Sequence, residues 1–336
     1  MHPVLFTIPG LDLPIYSYGV MLGLSLIVGW NIVMHLGTRD GIPRQKLQTA
    51  FIWAAVSAML GARVLFILTN LEQFTGPAGG VLDMLNVRKG GLVAYGGFLG
   101  GFVGSWIYLR SQRIRLLAWA DVVVPTLATG LGITRIGCFL YGCDYGKPIP
   151  ADAPSWIRAV GLRFPNWDVK LADLKAQLAD SGACGLATLH GAPAYEHHVH
   201  DGLVPPGAVE SALVYPTQLM AVLNGWIAFA ILMWFRRRRR FCGQVFLLFT
   251  TYYGVTRALM EILRGDTGRG GVGFFSTSQL VGIATAAASL VAWVVLSRRA
   301  RSDPAAAMAL GPGIDGPSPG AAISRRPAKQ KKRKRR

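Results

Sequence analysis

Apolar runs of about twenty residues recur along the chain, around residues 15–36, 48–69, 91–109, 118–141, 216–235, 241–263 and 276–297. At 1.5 Å rise per residue, each spans the roughly 30 Å hydrocarbon layer of a bilayer as one helix. The pattern predicts an all-α, polytopic membrane protein with seven transmembrane helices. Between the fourth and fifth runs, residues from about 142 to 215 are more polar and carry their own tryptophans and prolines. That interruption predicts a small extracytoplasmic cap. Within it, Leu171, Leu174 and Leu178 are spaced as on a short amphipathic helix over 171–180.

Composition agrees with a membrane setting. Hydrophobic residues make up 51% of the 336 and charged residues only 15%, where a soluble domain averages about 25% charged. Lysine and arginine in short loops mark the cytoplasmic side. Arg39, Arg44 and Lys46 follow the first run, Arg110, Arg113 and Arg115 the third, Arg236 to Arg240 the fifth, and Arg298, Arg299 and Arg301 the seventh. Every odd run therefore ends inside, which puts the N-terminus outside and the C-terminus in the cytoplasm. No cleavable signal is expected, because Met1 to Ser17 has neither a basic start nor a small-residue cleavage site.

Much of the net charge of +18 is gathered in residues 325–336. Residues 302–324, rich in Ala, Pro and Gly, have too few apolar side chains for a core. The expected organisation is a membrane domain over 1–301, with the cap inserted at about 142–215, followed by a disordered basic tail over 302–336. Such a tail is attracted to anionic headgroups, so membrane lipids are its expected partners and nucleic acid is not.

Four cysteines are too few and too scattered for a disulfide framework, and a Cys143–Cys184 bridge is the less favoured alternative. Glu196, His197, His198, His200 and Asp201 crowd together without the regular spacing of a zinc site, which favours a solvated loop. No phosphate loop, Gly-x-Ser-x-Gly elbow or His-Glu-x-x-His pair occurs. Any chemistry is expected inside the helical bundle.

Ionisable residues in the apolar runs carry the strongest signal. Arg135 lies in the fourth, and Arg257, Glu261 and Arg264 share one face of the sixth at intervals of four and three. An unpaired guanidinium in lipid costs several kcal/mol, so these groups pair or bind an anion. A purely structural lattice, Glu261 with Arg264 or Asp121 with Arg63, is one expectation. Three arginines around one glutamate leave positive charge over, and a phosphate-bearing lipid is the ligand that balances it. Gly97, Gly100, Gly101 and Gly104 are expected to pack helices closely. Tyr95, at an outer helix end, is expected to turn its hydroxyl toward a polar cavity.

Taken in order, Tyr18-Gly19, Gly61-Ala-Arg63, Gly90-Gly-x-x-x-Tyr95-Gly-Gly, Gly130-Leu-Gly-x-x-Arg135-Ile-Gly-x-Phe with Gly142 and Gly146, Tyr215-Pro-Thr-Gln-Leu219, and Tyr253-Gly-x-x-Arg257-x-x-x-Glu261-x-x-Arg264 resemble the prolipoprotein diacylglyceryl transferase family over about residues 3–297. The resemblance implies an inner-membrane enzyme that moves the sn-1,2-diacylglyceryl group of phosphatidylglycerol to the lipobox cysteine of a prolipoprotein signal peptide, with no cofactor and no metal. By position it implies Arg135, Arg257, Glu261 and Tyr95 as catalytic residues. It also implies substrate contacts at Arg135, Tyr18, Arg63, Tyr253, Arg264, Gly96, Gly97 and Gln218.

Where the family usually has histidine, asparagine, asparagine, glutamate and glutamate, this chain has Tyr95, Cys138, Tyr141, Cys143 and Ala221. The identity of the base is therefore open. Two rival expectations remain: an anion or lipid transporter on the same scaffold, and a relative that has lost its chemistry. An absence of internal repeats counts against the transporter.

Overall fold

The computed structural model describes residues 2–8, 13–75, 84, 91–170, 172, 191–265, 271–272, 275–312 and 314. Cys184, the basic run at 325–336 and all of the 171–180 pattern except Ala172 lie outside the described residues. In chain order the helices are α1 (Ser17–Arg39), α2 (Arg44–Thr69), α3 (Glu72–Thr75), α4 (Ala94–Ser111), α5 (Leu116–Tyr141), α6 (Ser155–Ala159), α7 (Trp167–Lys170), α8 (Pro193–His200), α9 (Thr217–Arg236), α10 (Gln244–Leu263), α11 (Thr277–Ser302) and α12 (Pro304–Met308). Each apolar run forms one long helix. Of these, α1, α2, α5, α9 and α11 are long and apolar enough to cross a membrane.

Helices dominate, but the chain is not purely helical. β1 (Val4–Ile8) and β2 (Leu13–Tyr16) form an antiparallel hairpin before α1, and β3 (Gly271–Val272) pairs with β4 (Phe275–Ser276) before α11. Strands of two to five residues fall below the length at which a hydrophobic-run reading detects an element.

The long helices pack as neighbours: α2 with α4, α1 with α5, α9 with α5, and α10 with α11. The α2–α4 contact brings backbone onto backbone. A Cβ on Gly96 would lie 2.3 Å from the carbonyl oxygen of Gly61, and one on Gly100 would lie 2.2 Å from that of Ser57. Gly97 has more room, since a Cβ there would stand 3.5 Å from the nearest atom, the Ala58 carbonyl oxygen. The close-packed stripe therefore runs through Gly96 as well as Gly100 and Gly104, and Gly97 sits at its edge. Elsewhere on α2, Ile52, Trp53, Val56, Met59, Leu60 and Leu68 are exposed. So large an apolar face needs a covering, and a bilayer supplies one.

A buried ion network ties together four helix ends. Asp121 on α5 accepts from the backbone N–H groups of Gly243 and Phe246, at 2.9 and 2.8 Å, where α10 begins. Negative charge there satisfies the free N–H groups of the helix and complements its dipole. Arg239 lies 3.7 Å from the same carboxylate and 2.8 Å from Asp40, which caps α1. Arg236, closing α9, reaches Asp40 at 2.5 Å and donates to the Asp121 carbonyl oxygen at 2.6 Å. That carbonyl is available because Pro125, four residues on, has no N–H to give it. The expected Asp121–Arg63 pair is replaced by this network. Two of the arginines read as topology markers are thus internal structural charges.

Beyond residue 301 the described residues are ordered as far as the α12 segment and Leu310. The chain continues as α12, Ala307 accepts from the N–H of Cys242 at 3.0 Å, and Leu310 is buried against the α1–α2–α5 core.

The connector between α5 and α9 has a core of its own, with Tyr145, Phe164, Trp167, Ala194 and Val214 buried beside Val4 of the first hairpin. The histidine-rich stretch is not a solvated loop. It forms α8, whose His198 is buried against the Tyr145 ring and whose His197 bonds through Nδ1 to the Tyr145 hydroxyl at 2.7 Å. Burial holds the His198 imidazole below the usual histidine range. His200 remains outside, 3.2 Å from Asp201.

Candidate active site

Where α5 and α10 end side by side, their charges converge. α5 stops at Gly142, which adopts φ +90° and closes the helix by donating its N–H to the Cys138 carbonyl oxygen at 2.7 Å. The next turn puts Asp144 at φ +57°, a left-handed conformation that aspartate tolerates better than most residues. Its carboxylate faces back toward the helix it has just left. Oδ2 takes Arg135 and Oδ1 takes Arg264, so one acid holds two guanidiniums together.

Backbone pairing fixes this encounter. Gly146 bridges Arg264 in antiparallel fashion, Lys147 donates to the Leu263 carbonyl oxygen at 2.8 Å, and Gly265 donates to that of Tyr145 at 3.1 Å. At the start of α9, Thr217 donates its hydroxyl to the Asp144 carbonyl oxygen at 2.8 Å and Gln218 its amide to that of Cys143 at 2.9 Å. Three segments distant in sequence thus hold one turn.

Two helical turns deeper on α10, Arg257 pairs with Glu261 at 2.5 Å, an i,i+4 contact, and its other amino group reaches the Ser278 hydroxyl on α11 at 3.3 Å. Glu261 orients the guanidinium from beneath. A cavity of about 40 Å³ lies between the groups, lined by Arg135, Asp144, Arg257 and Arg264, by Thr217, Asn224, Tyr253 and Thr256, and by the apolar Leu131, Ala221 and Met260. Asn224 is fixed by the Tyr252 hydroxyl, which donates to it at 2.7 Å, and it donates in turn to Thr256 at 3.3 Å.

Among the described residues, three guanidiniums face two carboxylates around this cavity, which leaves one positive charge over. Side-chain exposures of 22% for Arg135, 19% for Arg257 and 26% for Asp144 show that the groups remain within reach of a ligand. Such an arrangement accepts a monoanion with several oxygens.

Residues 3–295 match the family model described as prolipoprotein diacylglyceryl transferase. The chain belongs to that family. Among its relatives, the phosphatidylglycerol–prolipoprotein diacylglyceryl transferase of Clostridium tetani is 28% identical over 285 residues, 85% of this chain and 94% of that one. A second enzyme of that name from Clostridium perfringens is 30% identical over 272 residues, covering 81% and 87%. The Finegoldia magna protein is 24% identical over 292 residues, covering 87% and 94%.

The residues that the family pattern singles out do not all meet at the cavity. Arg135, Tyr253, Arg257 and Arg264 line it, and Glu261 supports it. Tyr18 packs beside it, close enough on α1 that a Cβ on Gly137 would lie 3.1 Å from its ring. Gln218 is fully buried and holds the Cys143 carbonyl instead of facing the cavity. Arg63 is buried at the end of α2, where it donates to the Met84 and Gly91 carbonyl oxygens at 2.8 and 3.0 Å and lies over the rings of Phe66 and Phe74. Tyr95 is 56% exposed on α4 and does not line the cavity, and Gly96 is consumed by packing. Asp144, Asn224 and Thr256 were not anticipated from the sequence. The signal available for Asp144 was a lone acid between Gly142 and Gly146, in a segment read as the start of a polar cap.

Proposed function

We propose that this chain transfers the sn-1,2-diacylglyceryl group of phosphatidylglycerol to the lipobox cysteine of prolipoproteins, at the outer leaflet of the bacterial inner membrane. The observation that carries this reading is the excess of one guanidinium over the carboxylates around the α5–α10 cavity. A phosphodiester bears one negative charge, so it neutralises the cluster on binding. In the reaction the cysteine sulfur bonds to the terminal glycerol carbon, the bond from that carbon to the phosphate oxygen breaks, and glycerol 1-phosphate leaves. The thiol proton is given up to a base or to the departing phosphate.

Charge accumulates on the phosphate as that bond breaks, so donors already aimed at it bind the transition state more tightly than the lipid. Arg135 and Arg257 grip the phosphate, Glu261 sets the Arg257 guanidinium, Arg264 and Asp144 hold Arg135 in place, and Tyr253 and Tyr18 border the glycerol. Tyr95, across the bundle on α4, serves the approach of the acceptor peptide. The same reading takes all seven long helices as spans, the α5–α9 connector as an external cap, residues 1–301 as the membrane domain and the basic C-terminal run as cytoplasmic.

Purified protein incubated with labelled phosphatidylglycerol and a lipobox peptide is expected to yield a peptide thioether. Lipid bound without thioether would instead mark a binding or transport protein.

A further inference from the structure

Two cysteines of this chain sit where its family usually carries an asparagine and a glutamate, and the helix end brings them together. Because the N–H of Cys143 returns to the Cys138 carbonyl oxygen at 3.2 Å, around the left-handed Gly142, the two side chains meet as the flanking residues of such a helix stop do. Cys138 Sγ lies 3.3 Å from Asp144 Oδ2, and the two sulfurs and a carboxylate oxygen of Asp144 all fall within 4.8 Å of one another. Ligands of one tetrahedral zinc ion stand about 3.6 Å apart for sulfur and oxygen, and about 3.8 Å apart for two sulfurs.

We propose that Cys138, Cys143 and Asp144 form a binding site for a thiophilic divalent cation, zinc or cadmium, and that its occupancy shuts down the adjoining arginine cluster. The obvious objection is repulsion from Arg135 and Arg264. It is met by stoichiometry: the ion brings two positive charges and the two thiols release two protons as their sulfur–metal bonds form, so the local charge does not change. Asp144 can contribute because its two oxygens are separate acceptors: Oδ1 stays on Arg264 while Oδ2 exchanges Arg135 for the metal. Arg135 then loses the partner that aims it. This inhibitory consequence rests on the transferase reading, whereas metal binding does not.

The test uses the full chain, reduced and purified in detergent, and titrates it with cadmium while recording the ultraviolet thiolate-to-cadmium band. One ion per chain is expected, displaced by zinc, with the band lost in Cys138→Ser and in Cys143→Ser and kept in Cys242→Ser, whose thiol donates elsewhere, to the Met308 carbonyl oxygen at 3.5 Å. A band that survives in the Cys138→Ser/Cys143→Ser double variant, or no band in the parent, overturns the site. In the transfer assay, zinc is expected to lower parent activity by about tenfold or more and that of Cys143→Ser by less than about twofold. A band without any transfer activity would indict the transferase reading alone, and transfer activity without a band would indict the metal site alone.

Discussion

Two clusters of buried charge sit at different helix ends and use the same residue types to opposite effect. Around Asp121 two acids face two arginines, with side-chain exposures of 0% for Asp121, 6% for Arg239, 9% for Arg236 and 10% for Asp40. Its charges cancel, and its remaining acceptors are taken by backbone N–H groups. Around Arg135 two acids face three arginines, and the exposures rise to 22% and 26%. A closed, neutral network holds helices together; an open one with a charge left over holds a ligand. The difference lies in one guanidinium and a little water access.

Replacing charges in each cluster separates these roles. The largest effect is expected from Arg135→Ala or Arg257→Ala, each lowering transferase turnover by roughly 100-fold or more, the scale set by removing one donor from a developing anion. Melting of the purified Arg135→Ala variant should hardly move, because Asp144 keeps Arg264. Near-normal turnover in both variants would dissolve the contrast. Asp121→Ala should do the reverse, costing about 3–5 kcal/mol by leaving two N–H groups unanswered and two buried arginines sharing Asp40 alone, seen as loss of folded protein in detergent. If that variant melts like the parent, the Asp121 network is not structural.

Tyr95→Phe sharpens the boundary of the open cluster. With its hydroxyl outside the cavity, the change is expected to lower turnover by roughly two- to tenfold, the worth of one hydrogen bond. A loss as large as that of the arginine variants would bring α4 into the reacting centre. The smallest effect concerns the connector beside the site. His198 is buried neutral, so its folded form binds a proton less readily than the unfolded chain, and the unfolded chain takes up more protons as pH falls. Connector stability should hold above the ordinary histidine pKa of about 6.5 and decline below it. His198→Phe should flatten that decline, as followed by hydrogen exchange at α8.

The long helices were legible because each is a continuous apolar run, and Arg135, Arg257 and Glu261 because a charge in such a run is conspicuous. What escaped depends on contacts between distant segments. Asp144 looks like an ordinary polar residue until the Gly146–Arg264 bridge puts α10 beside it. The arginines at 236 and 239 resemble any basic loop, although Pro125 already signalled a free carbonyl on α5. The histidines on α8 were misjudged because three imidazoles in four residues look polar, whereas a helix turns only one of them, His198, inward.

Gly142 deserves a last consequence. With φ at +90° and only 2.7 Å between a notional Cβ and that of Ala192, the position admits neither another dihedral nor another atom. Tyr141 and Cys143 flank it, and Asp144 keeps its two arginines. Descendants of this sequence are free to experiment with what surrounds the anion, so long as the hinge that aims the acid stays bare.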